Sequence, residues 1–133
     1  MTPPRSRAVL VTGASRGIGR AVARAFASQG DRVAVHYRDS AALAQDVLAG
    51  LPGSGHAVVR ADLADAAAVR QMVDRAATDL GGLDVLVNNA GIYVRHPITE
   101  VSYEQWQEIW RDTLAAPVRL TASVSRQASC HCW

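Results

Sequence analysis

The sequence predicts an α/β fold on a parallel sheet. Three observations carry that prediction. Short apolar runs alternate with helix-period stripes along most of the chain. The runs are continuously apolar in their interiors, as in strands covered on both faces. The chain has 133 residues, 49% of them hydrophobic and 20% charged, which suits one globular domain with a real core.

The elements follow in order. Ala8-Val9-Leu10-Val11 reads as the first strand, closed by Gly13. Ile18, Ala21, Val22, Ala25 and Phe26 then recur at i, i+3, i+4, i+7 and i+8, an amphipathic helix ending near Gly30. Residues Arg32 to His36 form the second run. Leu43, Val47 and Leu51 make a weaker helical stripe, with Asp39 or Ser40 as its cap and Pro52-Gly53 at its end. The third run spans His56 to Arg60. The next helix carries Val69, Met72, Val73, Ala76, Ala77 and Leu80 and stops at Gly81-Gly82. The fourth run, Asp84 to Asn88, leads into a long loop reaching Val101. A last helix begins at Ser102, with Gln105 at capping-box spacing and an apolar face of Trp106, Ile109, Trp110 and Leu114. This order, β-α-β-α-β-α-β-loop-α, implies crossover connections and a parallel sheet.

Composition excludes several functions. All 14 basic residues are arginine, so no side-chain amine is present for a Schiff base, a P-loop phosphate grip or a Tyr-Lys proton relay. The net charge is +2 and the arginines are scattered among aspartates, which argues against a nucleic-acid partner. No apolar run reaches the ~18 residues of a membrane span, and the polar start is not a signal peptide. A cytoplasmic protein without a membrane partner is therefore expected. Cys130, His131 and Cys132 lack the further ligands a metal site needs, so no metal is expected.

The chemistry is concentrated after the first strand, in Thr12-Gly13-Ala14-Ser15-Arg16-Gly17-Ile18-Gly19. Glycines there permit a tight turn and close approach to a pyrophosphate, and the following helix presents its N–H groups to the phosphates. Gly19 also lets the helix pack close to the sheet. The strand–turn–helix context is the one a dinucleotide site requires. An acid at the end of the second strand would accept from a ribose 2′-hydroxyl and favour NAD. The sequence has His36-Tyr37-Arg38 instead. Arg38 offers charge-assisted bonds to a 2′-phosphate, and Arg16 approaches the same group. Both point to NADP, with NAD possible; two merely solvated arginines are the bland alternative.

On these residues the sequence resembles the short-chain dehydrogenase/reductases, and especially the branch similar to 3-oxoacyl carrier protein reductases. Thr12 to Gly19 match that family's TGxxxGxG turn. Asp62-Leu63 match the pair after the third strand, Asn88-Asn89-Ala90-Gly91 match its NNAG motif, and Trp106 lies in the family's next helix. The resemblance covers Ala8 to about Ser123. It implies the amino-terminal part of a doubly wound Rossmann sheet with strand order 3-2-1-4 and flanking helices, a single incomplete domain over 1–133 with an irregular tail from about 124. It also implies that Gly13, Ser15, Arg16, Gly17, Ile18 and Gly19 line the pyrophosphate. By the same resemblance Arg38 lies by the ribose phosphate, Asp62 and Leu63 flank adenine, and Asn88 and Gly91 lie by the adenosine and ribose.

The pattern then departs from the family, whose members use Asn, Ser, Tyr and Lys together. Thr113 stands where the family has its asparagine, through either a substitution or a short deletion before Pro117. The serine and the Tyr-x-x-x-Lys pair have no counterpart, so no catalytic residue is assigned. Tyr37 and Tyr93 lie near the cofactor edge without a lysine partner. Arg95, His96 and Trp110 are surface residues or approach a substrate pocket. The resemblance implies an oxidoreductase interconverting a carbonyl and an alcohol, inactive as this truncated chain. The alternative is a non-catalytic dinucleotide-binding or interaction module. The fourth strand, left at the sheet edge, is expected to promote self-association.

Overall fold

The computed structural model describes residues 5–92 and 97–127. Four strands, β1 (Ala8–Val11), β2 (Arg32–Tyr37), β3 (Ala57–Arg60) and β4 (Val85–Val87), form one parallel sheet in the order β3-β2-β1-β4. Helices α1 (Gly17–Ser28), α2 (Ala41–Ala49) and α3 (Ala66–Leu80) connect them. A 3₁₀ turn at Ile98–Glu100 precedes α4 (Tyr103–Trp110), a π-helical segment (Arg111–Ala115) and α5 (Ala116–Gln127). The expected class and strand order are therefore observed.

The sheet is covered on both faces, and strand alternation divides the core in two. Ala8, Leu10, Ala34 and Val59 pack with Val69, Met72, Val73, Ala76 and Leu80 of α3 and with Ala116 and Leu120 of α5. Val9, Val11, Val33 and Val35 pack with Ala23 and Ala27 of α1 and with Ala44 and Val47 of α2. β1 and the middle of β2 are buried, which explains their unbroken apolar runs. β4, at the sheet edge, is only half-buried.

Two polar clamps hold the start of the sheet. Arg7 donates from Nε and Nη2 to the buried Asp31 carboxylate, at 3.1 and 2.6 Å, and its guanidinium lies over the Phe26 ring. The Asp84 carboxylate accepts from the Ala8 N–H at 2.8 Å. The His56 ring bridges two elements: Nδ1 accepts from the Val33 N–H at 3.1 Å while Nε2 bonds the Pro52 carbonyl at 2.9 Å.

Several local expectations change. In α1 the buried face is Gly19, Ala23 and Ala27, with Val22 and Phe26 flanking it, while Ile18 is 76% exposed. Small residues face the sheet there because the helix lies close to it. In α2, Ala44 is buried and Leu43 faces outward. Ser40 occupies the cap position but makes no side-chain cap bond. The chain remains helical through Gln127, past the point where an irregular tail was expected. Its polar residues are held by back-bonds: Thr121 and Ser125 hydroxyls donate to carbonyls four residues earlier, each at 2.8 Å.

The last helix starts as its sequence requires. Ser102 accepts from the Gln105 N–H at 3.2 Å, and Gln105 accepts from the Ser102 N–H at 2.9 Å, completing the capping box. The helix is not a uniform α-helix, however. Pro117 has no N–H to offer the Thr113 carbonyl, and the turn before it widens into the π segment. The face of Trp106, Trp110 and Leu114 is about half exposed, with Trp106 stacked on Tyr103 and tilted against Trp110.

Candidate functional site

The carboxyl ends of the strands open onto one cleft of about 220 Å³. Gly13, Ser15 and Arg16 enter it after β1, His36 to Ser40 at the end of β2, Asp62 and Leu63 after β3, and Asn89 to Ile92 after β4. Asp112 arrives from the π segment. β1 lies between β2 and β4: the chain runs outward from β1 through β2 to β3, then crosses back to place β4 on the other side of β1. That switch point is where open α/β sheets bind ligands.

The glycine turn is fixed by its neighbours. Gly13 has φ +63°, in the left-handed region, and a Cβ there would come within 3.0 Å of Ala90 Cα. A Cβ on Gly19 would overlap the Gly13 carbonyl oxygen and the Asn89 amide. Asn89 Nδ2 donates to the carbonyls of Thr12 and Gly13, at 2.9 and 3.2 Å. The Thr12 hydroxyl donates to the Val87 carbonyl and accepts from the N–H groups of Asn89 and Ala90, both at 3.0 Å. The turn and the loop after β4 are thus one hydrogen-bonded unit.

His36 closes the other side. It is 2% exposed, and its Nδ1 accepts from the Gly13 N–H at 3.0 Å. The remaining ring proton therefore sits on Nε2, which donates to the Ala61 carbonyl at 3.0 Å. The His36 carbonyl also accepts from the Ala14 N–H at 2.9 Å. Burial holds the ring below its usual pKa, only partly offset by the Ala61 bond. The neutral form is the one that can accept from Gly13.

The amino end of α1 is open to an anion. Arg16 at its cap position supplies no side-chain bond, and its first turn carries no acidic residue. Helix N–H groups and the positive end of the macrodipole are available there. Arg38 lies across the cleft, held by Asp39 through Nε at 2.7 Å and approached by Asp112 at 3.9 Å from Nη1. The hydrogen bond to Asp39 raises its pKa further, with Asp62 and Asp112 adding to the effect. Asp62 Oδ1 accepts from the Ala64 N–H at 2.9 Å, so this residue forms a turn as well as part of the wall.

Of the residues expected from the sequence, the structure brings Gly13, Ser15, Arg16, Arg38, Asp62, Leu63 and Gly91 to the cleft wall. Gly17, Ile18 and Gly19 stand behind it at the head of α1. Asn88 lies elsewhere: its Nδ2 is 3.5 Å from the Thr121 hydroxyl on α5. Successive side chains of an extended segment point to opposite sides, so Asn89 faces the glycine turn and Asn88 faces away. Tyr37 lines the cleft, and the Thr113 hydroxyl lies 4.0 Å from where a Cβ on Gly91 would stand. Trp110 is about half exposed. Tyr93, Arg95, His96 and the Cys130–Cys132 tail lie outside the described residues.

Sequence reasoning gave no site role to His36, Asn89, Asp39 or Asp112. A polar residue ending an apolar strand was the signal for His36. Nothing in helical spacing could have found Asp112, because the π segment resets the phase. Among the described residues no helix is long and apolar enough to cross a membrane, and no acid, histidine or cysteine cluster suits a metal.

Comparison with known proteins agrees with this geometry. The short chain dehydrogenase family model matches residues 7–129. An uncharacterised oxidoreductase from Methylorubrum extorquens is 36% identical over 128 residues, covering 95% of this chain and 52% of that protein. A 3-oxoacyl acyl-carrier-protein reductase from Staphylococcus aureus is 38% identical over 106 residues, covering 78% and 43%. A short chain dehydrogenase from Burkholderia cenocepacia, solved in complex with NADP, superposes with a TM-score of 0.85 at 38% identity, over 95% of this chain and 52% of that one. The chain belongs to the short chain dehydrogenase family, a family of oxidoreductases. It spans about half the length of the curated relatives it matches.

Proposed function

We propose that these residues form the dinucleotide-binding half of an oxidoreductase that interconverts a carbonyl and an alcohol, with NADP preferred over NAD. The observation that supports this most is the uncapped amino end of α1, opening onto a cleft that also holds Arg16 and Arg38. A dinucleotide fits these donors: a pyrophosphate on the α1 N–H groups, a 2′-phosphate between the two arginines, adenine beside Leu63. When bound, the cofactor supplies the hydride. The chain's own residues do the rest of the binding work. Gly13 and Gly19 let the backbone approach, Asn89 and His36 hold the turn in shape, and Arg38 orients the adenosine end.

Proton transfer in this reading falls to a Tyr-x-x-x-Lys pair, and the 133 residues contain no lysine. We therefore expect binding without turnover from this chain alone. A second reading of the same cleft is a non-catalytic dinucleotide-binding module. Calorimetric titration with NADPH and NADH, followed by a turnover assay, separates them. Selective NADPH binding that Arg38→Ala abolishes supports the shared binding reading, and tight, selective binding without turnover favours the module. Weak binding favours half of an enzyme, and no binding of either nucleotide sinks both. The outer edge of β4 is where we expect copies to pair; sedimentation showing only monomer at high concentration would rule that out.

A further inference from the structure

We propose that Asp112 determines cofactor specificity: it competes with a ribose 2′-phosphate for Arg38 and keeps the preference for NADP below what the two arginines alone would give. The inference rests on the dinucleotide reading above. Asp112 reaches the cleft from an element that carries none of the other wall residues, through the widened π turn. Its side chain is only 11% exposed, and Oδ2 stands 3.9 Å from Arg38 Nη1. Arg111 Nε donates to its other oxygen at 3.2 Å, so the carboxylate keeps a partner when Arg38 turns to a phosphate.

Asp39 is a different kind of partner. It follows Arg38 in sequence, moves with it and is 68% exposed, so water and salt attenuate its charge. The wall thus carries two arginines against three carboxylates, Asp39, Asp62 and Asp112. Of the two that pair with Arg38, Asp112 is the better shielded from solvent. A 2′-phosphate brings a charge of about −1.5 to −2 and must take Nη1 from Asp112 while lying close to it. A 2′-hydroxyl brings no charge and can donate to a carboxylate. Asp112 therefore opposes NADP and does not oppose NAD.

The test is calorimetric titration of wild type, Asp112→Asn, Asp112→Ser and Asp39→Asn with NADPH and NADH. Both Asp112 variants should raise the NADPH-to-NADH affinity ratio about five- to tenfold, mainly by tightening NADPH. The gain should shrink at roughly 1 M ionic strength. Asp39→Asn should give less than half of it. A ratio that is unchanged or falls in both Asp112 variants, with wild type still binding, overturns the inference and leaves the dinucleotide reading intact. An Asp39→Asn effect equal to or larger than that of Asp112→Asn also overturns it. Wild type that binds neither nucleotide overturns the dinucleotide reading, and the inference with it.

Discussion

Two helices on opposite faces of the same sheet begin in opposite ways. At α3, Asp65 accepts from the N–H groups of Ala67 and Ala68, at 2.8 and 3.2 Å, and Gly81 closes the far end in a left-handed conformation. At α1, Arg16 caps nothing, and the space in front of the helix is the cleft. The first end satisfies itself; the second leaves donors for something outside the chain. In the proposed reading the difference separates the roles of the two helices. α3 covers the core, whereas α1 covers the core and would also present its amino end to an anion.

The largest effect should come from the first turn of α1. Gly19→Val puts a branched side chain where even a Cβ overlaps the Gly13 carbonyl and the Asn89 amide. The turn, the loop after β4 and the helix must all move, so the cost should be about 3 kcal/mol in urea unfolding, with nucleotide binding lost. The same side chain in the first turn of α3, Ala67→Val at an exposed position, should cost no more than about 0.7 kcal/mol. Equal costs at the two sites would remove the distinction between the helix starts.

Next in size is the histidine that bridges the turn to β3. Asn places an amide oxygen near the position of Nδ1, whereas Gln reaches past it. His36→Gln should therefore cost about 2 kcal/mol by leaving the buried Gly13 N–H unpaired, and His36→Asn should recover part of that. Protonation tests the same contact, because a proton on Nδ1 would face the Gly13 N–H. The charged groups sharing the cleft with His36 are Arg16, Arg38, Asp39, Asp62 and Asp112. The folded pKa lies below the unfolded value of 6.5. Stability from the neutral ring is thus fully present above that value, and it declines as pH falls from about 6.5 toward the folded pKa. His36→Asn should flatten that slope; an unchanged slope would show that His36 is not its source.

These contrasts also explain what the sequence could reveal. β1 and β2 were legible as apolar runs, because both faces of those strands are covered; the strand order came from the family resemblance. The turn was legible because its glycines have steric reasons that no other residue satisfies. The buried face of α1 was misjudged, since Gly19, Ala23 and Ala27 carry little hydrophobic signal yet allow the closest approach. Ile18 carries a strong signal and faces solvent. Asn88 and Asn89 look equivalent in sequence; only the direction of each side chain separates the one that stitches the turn from the one near α5. Asp112 depends on a helical irregularity that Pro117 introduces from five residues away.

The smallest change is the most discriminating. Asp65→Ala should cost about 1 kcal/mol, the ordinary price of losing a cap, and should leave nucleotide binding unaltered. Arg16→Asp at α1 should do the reverse. A carboxylate there can accept from the first-turn N–H groups and meet the positive end of the helix, stabilising the free chain by about 0.5 kcal/mol. It would also occupy the donors and repel a pyrophosphate, so NADPH and NADH should both weaken at least tenfold. Unfolding and titration of the same variant would then move in opposite directions. Arg16→Asp that destabilises the free chain would mean the α1 donors are already satisfied. Arg16→Asp that stabilises the chain yet binds nucleotide normally would move the phosphates away from this helix.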